Sequence, residues 1–363
     1  MVVHPSSSSC PFFIGGMIKD SKFFVGRQEE VRFVMAAIAS AQPTNVNLIG
    51  DRRTGKSSLL QQIYQTYEGR VNAYMRRAEE FVVVYVSLKD GRYRSPDDFY
   101  NGIAQKLLER GVVQANPVLV GALQGVMNGA RFSQAMEVWK GAGVLAVICL
   151  DDFEEVLEPG SPFDDHFFDN LRSRCNASEL MLVIASRKLL RDYKMEGYTS
   201  EFFNISQTRL MGDLGDADAA TIVALPGSGQ SVLGIERQAL ALKWAGRQPY
   251  LVQLAAKCLW DAKQDDRSEA WAKEQFDRDA KMVPKKPMDV GRSVFLGISW
   301  VGSLGQNIGN KLDDWGNFVK GAMIIAIVSG VVFKVVPWQD GLKFFQTQKD
   351  EVLRNGETKP DGK

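Results

Sequence analysis

Apolar and polar positions fall into blocks of two kinds along this chain. Four short runs, 46–49, 81–88, 144–150 and 180–185, are almost wholly apolar and rich in β-branched residues. Such runs, bounded by polar loops, predict strands buried on both faces, as in a parallel sheet covered by helices. Between them the spacing lengthens to that of a helix. Val31, Val34, Met35 and Ile38 share one face before the first strand, and Leu59, Leu60 and Ile63 follow it. Ser95-Pro96-Asp97-Asp98 carries the proline and acids of a helix start, predicting a helix to about Arg110. A second helical region is expected over 117–140, and another helix carries Phe163, Phe167, Phe168 and Leu171. From about residue 210 the texture is helical only, at 216–225, 236–245 and 250–262, with Pro249 opening the last.

The fold class this predicts is α/β. A parallel sheet flanked by helices would occupy 11–209, and a small helical lid 210–262. Residues 1–10 are serine-rich and expected to be flexible, 263–292 read as a charged linker containing Pro284 and Pro287, and 339–363 as a polar tail.

The first apolar run leads into the chemistry. It stops at Gly50 and passes through Asp51, Arg52, Arg53 and Thr54 to Gly55-Lys56-Ser57-Ser58, where a helix begins. Strand, glycine-bounded loop, Lys-Ser and helix make a P-loop. Gly50 and Gly55 stand where backbone N–H groups must approach phosphate oxygens, Lys56 supplies a cation for the β- and γ-phosphates, and Ser57 offers a hydroxyl to Mg²⁺. Arg52 and Arg53 could touch phosphate, a neighbouring domain or only solvent. The third run ends in Asp151-Asp152-Phe153-Glu154-Glu155, two carboxylates at the C-terminal end of a buried strand, which is a Walker B pattern. Asp151 is expected to hold Mg²⁺ and Asp152 to orient or deprotonate the attacking water, with Glu154 and Glu155 as substitutes of longer reach. The fourth run ends in Ser186-Arg187, where a polar side chain would sit near a γ-phosphate. Phe12, Phe13, Phe23 and Phe24, ahead of the P-loop, either cover a base or fill core between the first helix and the sheet.

Composition narrows the classes. Lys and Arg number 44 against 43 Asp and Glu, so the whole chain sets up no strong field, and nucleic acid is not an expected partner. Cys10, Cys149, Cys175 and Cys258 are widely spaced, and His4 and His166 do not join them, which predicts no zinc site and a reducing setting. The N-terminus lacks the basic and apolar regions of a signal peptide.

In this order the motifs resemble a STAND-type NTPase of the AAA+ superfamily, close to bacterial AAA-like ATP-binding proteins. The resemblance spans about 11–262 and rests on Phe24-Val25-Gly26-Arg27, the P-loop with its paired arginines, Asp151 to Glu154, Ala185-Ser186-Arg187, and Gly246 to Tyr250. It implies that ATP with Mg²⁺ is the ligand, that Val25, Gly26 and Arg27 sit by the adenine, and that Ser186 or Arg187 senses the γ-phosphate. It also implies that Pro249 packs near the nucleotide from the lid, with Arg172 as the best candidate for an arginine finger. Implied too is a switch, closed with ADP, opened by exchange for ATP and then self-associating. No sensing repeat array is visible.

Residues 318–337 are the most apolar stretch. Their uncharged centre, 321–333, has thirteen residues, spanning only about 20 Å at ~1.5 Å per residue. Snorkelling by Lys320 and Lys334, with Trp315 and Trp338 as anchors, restores roughly the 30 Å of a hydrocarbon core. Gly321, Ser329 and Gly330 suit close helix pairing. The stretch 294–312, with Phe295, Ile298, Trp300, Val301, Leu304 and Ile308, is weakly amphipathic. A C-terminal hydrophobic helix in membrane contact, within a segment 293–338, is therefore expected. A buried helix of a small soluble domain is the alternative. Lys281, Lys285, Lys286 and Arg292 would keep the ATPase cytoplasmic, at the inner membrane. Three functions stay open: a membrane-associated ATP-dependent signalling switch, of use in stress or phage defence, a nucleic-acid-associated ATPase resembling replication initiators, and a cytosolic ATP-binding scaffold.

Overall fold

Each long strand turns alternate residues to different helical layers, and that alternation sets the architecture. The computed structural model describes residues 10–194, 198–225, 231–281 and 283. Among the described residues, β1 (Val46–Ile49), β2 (Phe81–Ser87), β3 (Leu145–Asp151), β4 (Leu180–Ser186) and β5 (Gln207–Leu210) form one parallel sheet in the order β2-β3-β4-β1-β5. The helices, in chain order, are α1 (Gln28–Ala39), α2 (Lys56–Val71), α3 (Pro96–Leu108), α4 (Gly111–Gln114), α5 (Pro117–Ala122), α6 (Gly129–Gly141), α7 (Asp165–Asn176), α8 (Leu190–Lys194), α9 (Asp216–Val223), α10 (Ile235–Ala245), α11 (Pro249–Gln264) and α12 (Glu269–Ala280).

Val82, Val84, Ile148 and Leu182 point to the layer of α3, α6 and α7. Their neighbours Val83, Val147, Met181 and Val183 point to the layer of α1 and α2, together with Val46 and Leu48 of β1. A two-sided sheet of this kind reads in sequence as continuous apolar runs because neither face meets water. β4 separates β1 from β3, and because all strands run the same way, the ends of β1, β2 and β3 open on one edge. Ligands of open parallel sheets gather at that edge.

The helix starts follow local chemistry. Ser95 accepts from the N–H of Asp98 ahead of Pro96, as a capped, proline-first helix should. The helical region expected over 117–140 divides into α5 and α6, because Asn116 and Asn128 each cap a start of their own. The first lies before Pro117, and between the two helices Gly125 takes φ +87°.

Two elements escape the hydropathy pattern. β5 is polar and largely exposed, and main-chain pairing with β1 makes it a strand: Gln207 N–H donates to Asn45 O at 2.8 Å and Met211 N–H to Ile49 O at 2.6 Å. The stretch 263–292, expected as a linker, contains α12. Ser268 caps it, and Ala272 and Phe276, four apart amid charged residues, are buried in the lid core. α12 thus completes a four-helix unit with α9, α10 and α11, whose core includes Val223, Val252 and Leu259.

Among the described residues no helix is long and apolar enough to cross a membrane. The expectations for 1–9, for the C-terminal hydrophobic helix within 293–338 and for the tail 339–363 lie outside the described residues.

Truncating Phe276 to alanine removes the aromatic that seats α12. Urea denaturation should show a loss of about 3–5 kcal/mol, and unchanged stability would mean that α12 contributes no packing.

Candidate functional site

The P-loop is shaped by close backbone contacts. Gly50 N–H donates to Ser186 O at 3.3 Å, and a Cβ on Gly50 would lie 2.6 Å from Met211 O, so no other residue fits there unshifted. Gly55 takes φ +95°, which lets the loop turn into α2. Lys56 Nζ reaches back across the loop to Gly50 O at 2.6 Å and Asp51 O at 2.9 Å. Burial pulls its pKa down, against the attraction of Glu154, Asp151, Asp51 and Asp152. The loop therefore offers a cation, free helix N–H groups and the partial positive charge of a 16-residue helix to one anion.

Asp151 ends β3 only 3% exposed. Its carboxylate accepts from the Tyr85 hydroxyl at 2.7 Å, and the Ser57 hydroxyl of α2 lies close enough to favour its charged form. Burial raises its pKa, while those two hydroxyls oppose the rise. Ser57 and Asp151, from two different motifs, thus meet as adjacent oxygen donors. A hard cation such as Mg²⁺, which takes oxygen ligands and keeps several waters, fits that pair.

Asp152 sits in the left-handed region at φ 55°, a conformation that short acidic side chains tolerate. The next residue, Phe153, is buried against Phe168 and Phe202 and anchors the turn. The Asp152 carboxylate accepts from the Ser87 hydroxyl at 3.3 Å and pairs with Lys89 Nζ at 2.6 Å. Ser87 ends β2 and Lys89 lies just beyond it.

Other expected site residues are engaged elsewhere. Ser186 is fully buried, accepting from Asn47 Nδ2 at 2.8 Å and donating to Lys188 O at 2.7 Å. Both hydroxyl functions are used inside the sheet, because the β1–β4 register sets Asn47 beside this strand end. Arg187 pairs with Glu154 at 3.3 Å and donates its backbone N–H to the same carboxylate, which Tyr193 also contacts. Glu154 therefore props the end of β4 and is unsuited to replace Asp152.

Arg27, expected by the adenine, is 6% exposed and works as a clamp: its guanidinium donates to Thr54 O at 3.1 Å and Gly212 O at 2.5 Å and pairs with Glu30. It thereby ties the P-loop to the segment leaving β5. Gly26 backs onto Asp218 of α9. The Ser58 hydroxyl accepts from Ile18 N–H at 3.0 Å and so holds the N-terminal segment, and Ser58 also lines the cavity beside the P-loop. Arg172 on α7 has a buried Nε without a partner, whereas its neighbour Arg174 is paired with Glu137 and Glu179.

One cavity of about 570 Å³ joins these parts, within the range of nucleotide-sized sites. Thr54, Gly55, Lys56, Ser57, Lys89 and Asp152 give it a polar wall, and Ile14, Phe24, Val25, Leu214, Ile222 and Tyr250 an apolar one. Pro249 and Arg53 also line it. Phe12, considered as filler between α1 and the sheet, is buried instead in the lid, while Phe13 is 44% exposed beside the cavity. Arg53 stacks over the Tyr250 ring at 3.9 Å, and Gln248 Nε2 donates to Arg53 O at 3.2 Å, so the loop tip is fastened to the start of α11. Tyr250 and Gln248 lay within the quoted lid turn. Asn47, Tyr85 and Lys89 had no sequence signal beyond being polar residues in or after apolar runs.

The raised pKa of Asp151 means that its proton is held more tightly in the folded chain than in the unfolded one. Its contribution is therefore most favourable at acid pH and is lost as pH rises through the raised value. At neutral pH Asp151→Asn should raise the melting temperature of the nucleotide-free protein. A lower melting temperature would show that the buried charge is already compensated.

No protein-family model matches the chain, and no curated protein matches it. Solved structures do. The ORC2 protein of Aeropyrum pernix, in ADPNP and ADP complexes, is similar at 13% identity, with 72% of this chain and 72% of that chain covered and a TM-score of 0.51. A Walker-type ATPase of Pyrococcus abyssi is similar at 13% identity, covering 81% and 79%, with a TM-score of 0.50. The ORC1 protein of Aeropyrum pernix, solved in complex with DNA, shares 17% identity over 70% of this chain at a TM-score of 0.45, and this chain spans 65% of its length. At these identities the likeness speaks to fold and not to function: this chain shares with the ORC2 protein and the Walker-type ATPase an α/β fold built on a parallel sheet flanked by helices.

Proposed function

We propose that this chain is an ATP-binding switch that hydrolyses ATP slowly with Mg²⁺. The observation that carries this is the meeting of Ser57 and Asp151, from separate motifs, beside a cavity walled by the P-loop and the lid. P-loop N–H groups and the α2 N-terminus bind the phosphates, and Lys56 neutralises them. The apolar wall takes the base. Mg²⁺, held by Ser57 and Asp151, would draw charge from the phosphate oxygens. Asp152 orients the attacking water, and its ion pair with Lys89 supports a low rate, since a carboxylate engaged by an ammonium is a poorer base.

Two finer features belong to the same reading. The Arg53–Tyr250 and Gln248–Arg53 contacts couple the phosphate loop to the lid, so occupancy of the loop biases lid position. That coupling, with the Val25-Gly26-Arg27 and Gly246 to Tyr250 segments, supports the STAND-type subclass. Arg172 is the residue that this reading would place across a contact between copies of this chain, on the family resemblance. The apolar stretch 318–337 supports membrane contact by a cytoplasmic ATPase acting in signalling. Nucleic acid as a partner stays open, because an even charge balance describes the field of the whole chain and not of a local surface.

Phosphate release measured against protein concentration tests the catalytic part. The rate per molecule should rise with concentration for the wild type, stay flat for Arg172→Ala, and vanish for Lys56→Ala together with nucleotide binding. A wild-type chain that binds no ATP would overturn the proposal. Vesicle flotation tests the membrane part: the full chain should float with lipid while a chain ending at Pro284 stays below, and equal behaviour of the two would remove membrane contact from the function.

A further inference from the structure

We infer that Lys89, just beyond the end of β2, is the group that distinguishes a bound triphosphate from a diphosphate, a task that the end of β4 does not perform in this chain. The inference rests on the ATP reading above and names the residue that reads the terminal phosphate.

The argument begins with what β4 cannot offer. The Ser186 hydroxyl accepts from Asn47 and donates to Lys188 O, and the residue is fully buried. Turning it toward a ligand would leave Asn47 Nδ2 with one fewer acceptor and the Lys188 carbonyl without this donor, inside a sheet where such losses are costly. Arg187 is engaged by Glu154 through both its side chain and its backbone N–H. Neither Ser186 nor Arg187 lines the cavity, whereas Lys89 does, along with Lys56, Ser57 and Asp152.

Lys89 is also built to respond. The β2–β3 register pairs Ser87 with Asp151, so residue 89 extends past the last pair, over the edge where the phosphates would lie. Its side chain is 56% exposed, and among the described residues its ion pair is with Asp152 at 2.6 Å. Lysine is a point charge on a flexible stem with three donors. It can therefore keep one hydrogen bond to Asp152 and give another to an incoming phosphate oxygen. A γ-phosphate arriving beside Asp152 would meet its carboxylate, whose charge Lys89 offsets. ADP carries no γ-phosphate and so gains nothing from Lys89.

Isothermal titration of the full chain with Mg²⁺ and either ADP or a non-hydrolysable ATP analogue tests this. The wild type should bind the analogue more tightly than ADP. Lys89→Met should lose about tenfold or more of that preference, as loss of a charge-assisted hydrogen bond implies, while its ADP affinity stays within about twofold, the scatter of an unperturbed site. Lys89→Arg should keep most of the preference, and Arg187→Ala should keep all of it. An unchanged preference in Lys89→Met, an equal loss for both nucleotides, a loss confined to Arg187→Ala, or a wild type that binds both nucleotides alike would each overturn the inference while leaving ATP binding intact. Failure of the wild type to bind either nucleotide would instead overturn the ATP reading beneath it.

Discussion

The carboxylate of Asp151, buried at the end of β3, is the constraint on which the site depends. A charge in that position is unfavourable unless donors and a cation compensate it. Tyr85 from β2 and Ser57 from α2 supply the donors, so one costly group draws two strands and the P-loop helix to a common point. That cost is kept at a place where a divalent cation would relieve it. Stability given up at a binding site is a recurrent exchange in proteins, and here it is visible as a pKa pushed up by burial against its own hydrogen bonds.

A second set of contacts joins this point to the lid. Arg27 holds the P-loop to the segment after β5, Arg53 lies on Tyr250 of α11, and the N-terminal segment bridges both halves. Ile18 N–H donates to Ser58 on α2, and Phe13 N–H donates to Gln253 of α11 at 3.1 Å. The lid is thus tied to the phosphate loop through these polar contacts and through Phe12, Ile14 and Val25, which pack into its apolar core of α9 to α12.

The buried half of the fold was legible. Runs buried on both faces give β1 to β4 within a residue or two, and capping residues such as Ser95 mark helix starts. β5 and α12 were not, for opposite reasons. β5 is held by main-chain bonds to β1, which leave no mark on side-chain character. α12 places only Ala272 and Phe276 toward α11 among charged neighbours, a pattern too sparse to separate from a linker.

The site divides along the same line. Glycine spacing, Lys56, Ser57 and the paired aspartates follow from sequence alone, because binding a phosphate and a hard cation requires particular atoms at particular steps along one strand–loop–helix. Which polar group at the ends of β2 and β4 faces the cavity could not be read that way. Ser186 and Lys89 each follow an apolar run and look equivalent on paper. Their roles separate only when the sheet order sets β1 beside β4, so that Asn47 consumes the Ser186 hydroxyl, and sets β2 beside β3, so that Lys89 comes to rest on Asp152. Local chemistry is written in consecutive residues, but the partner that a side chain spends its hydrogen bonds on is chosen by strands far apart in the chain.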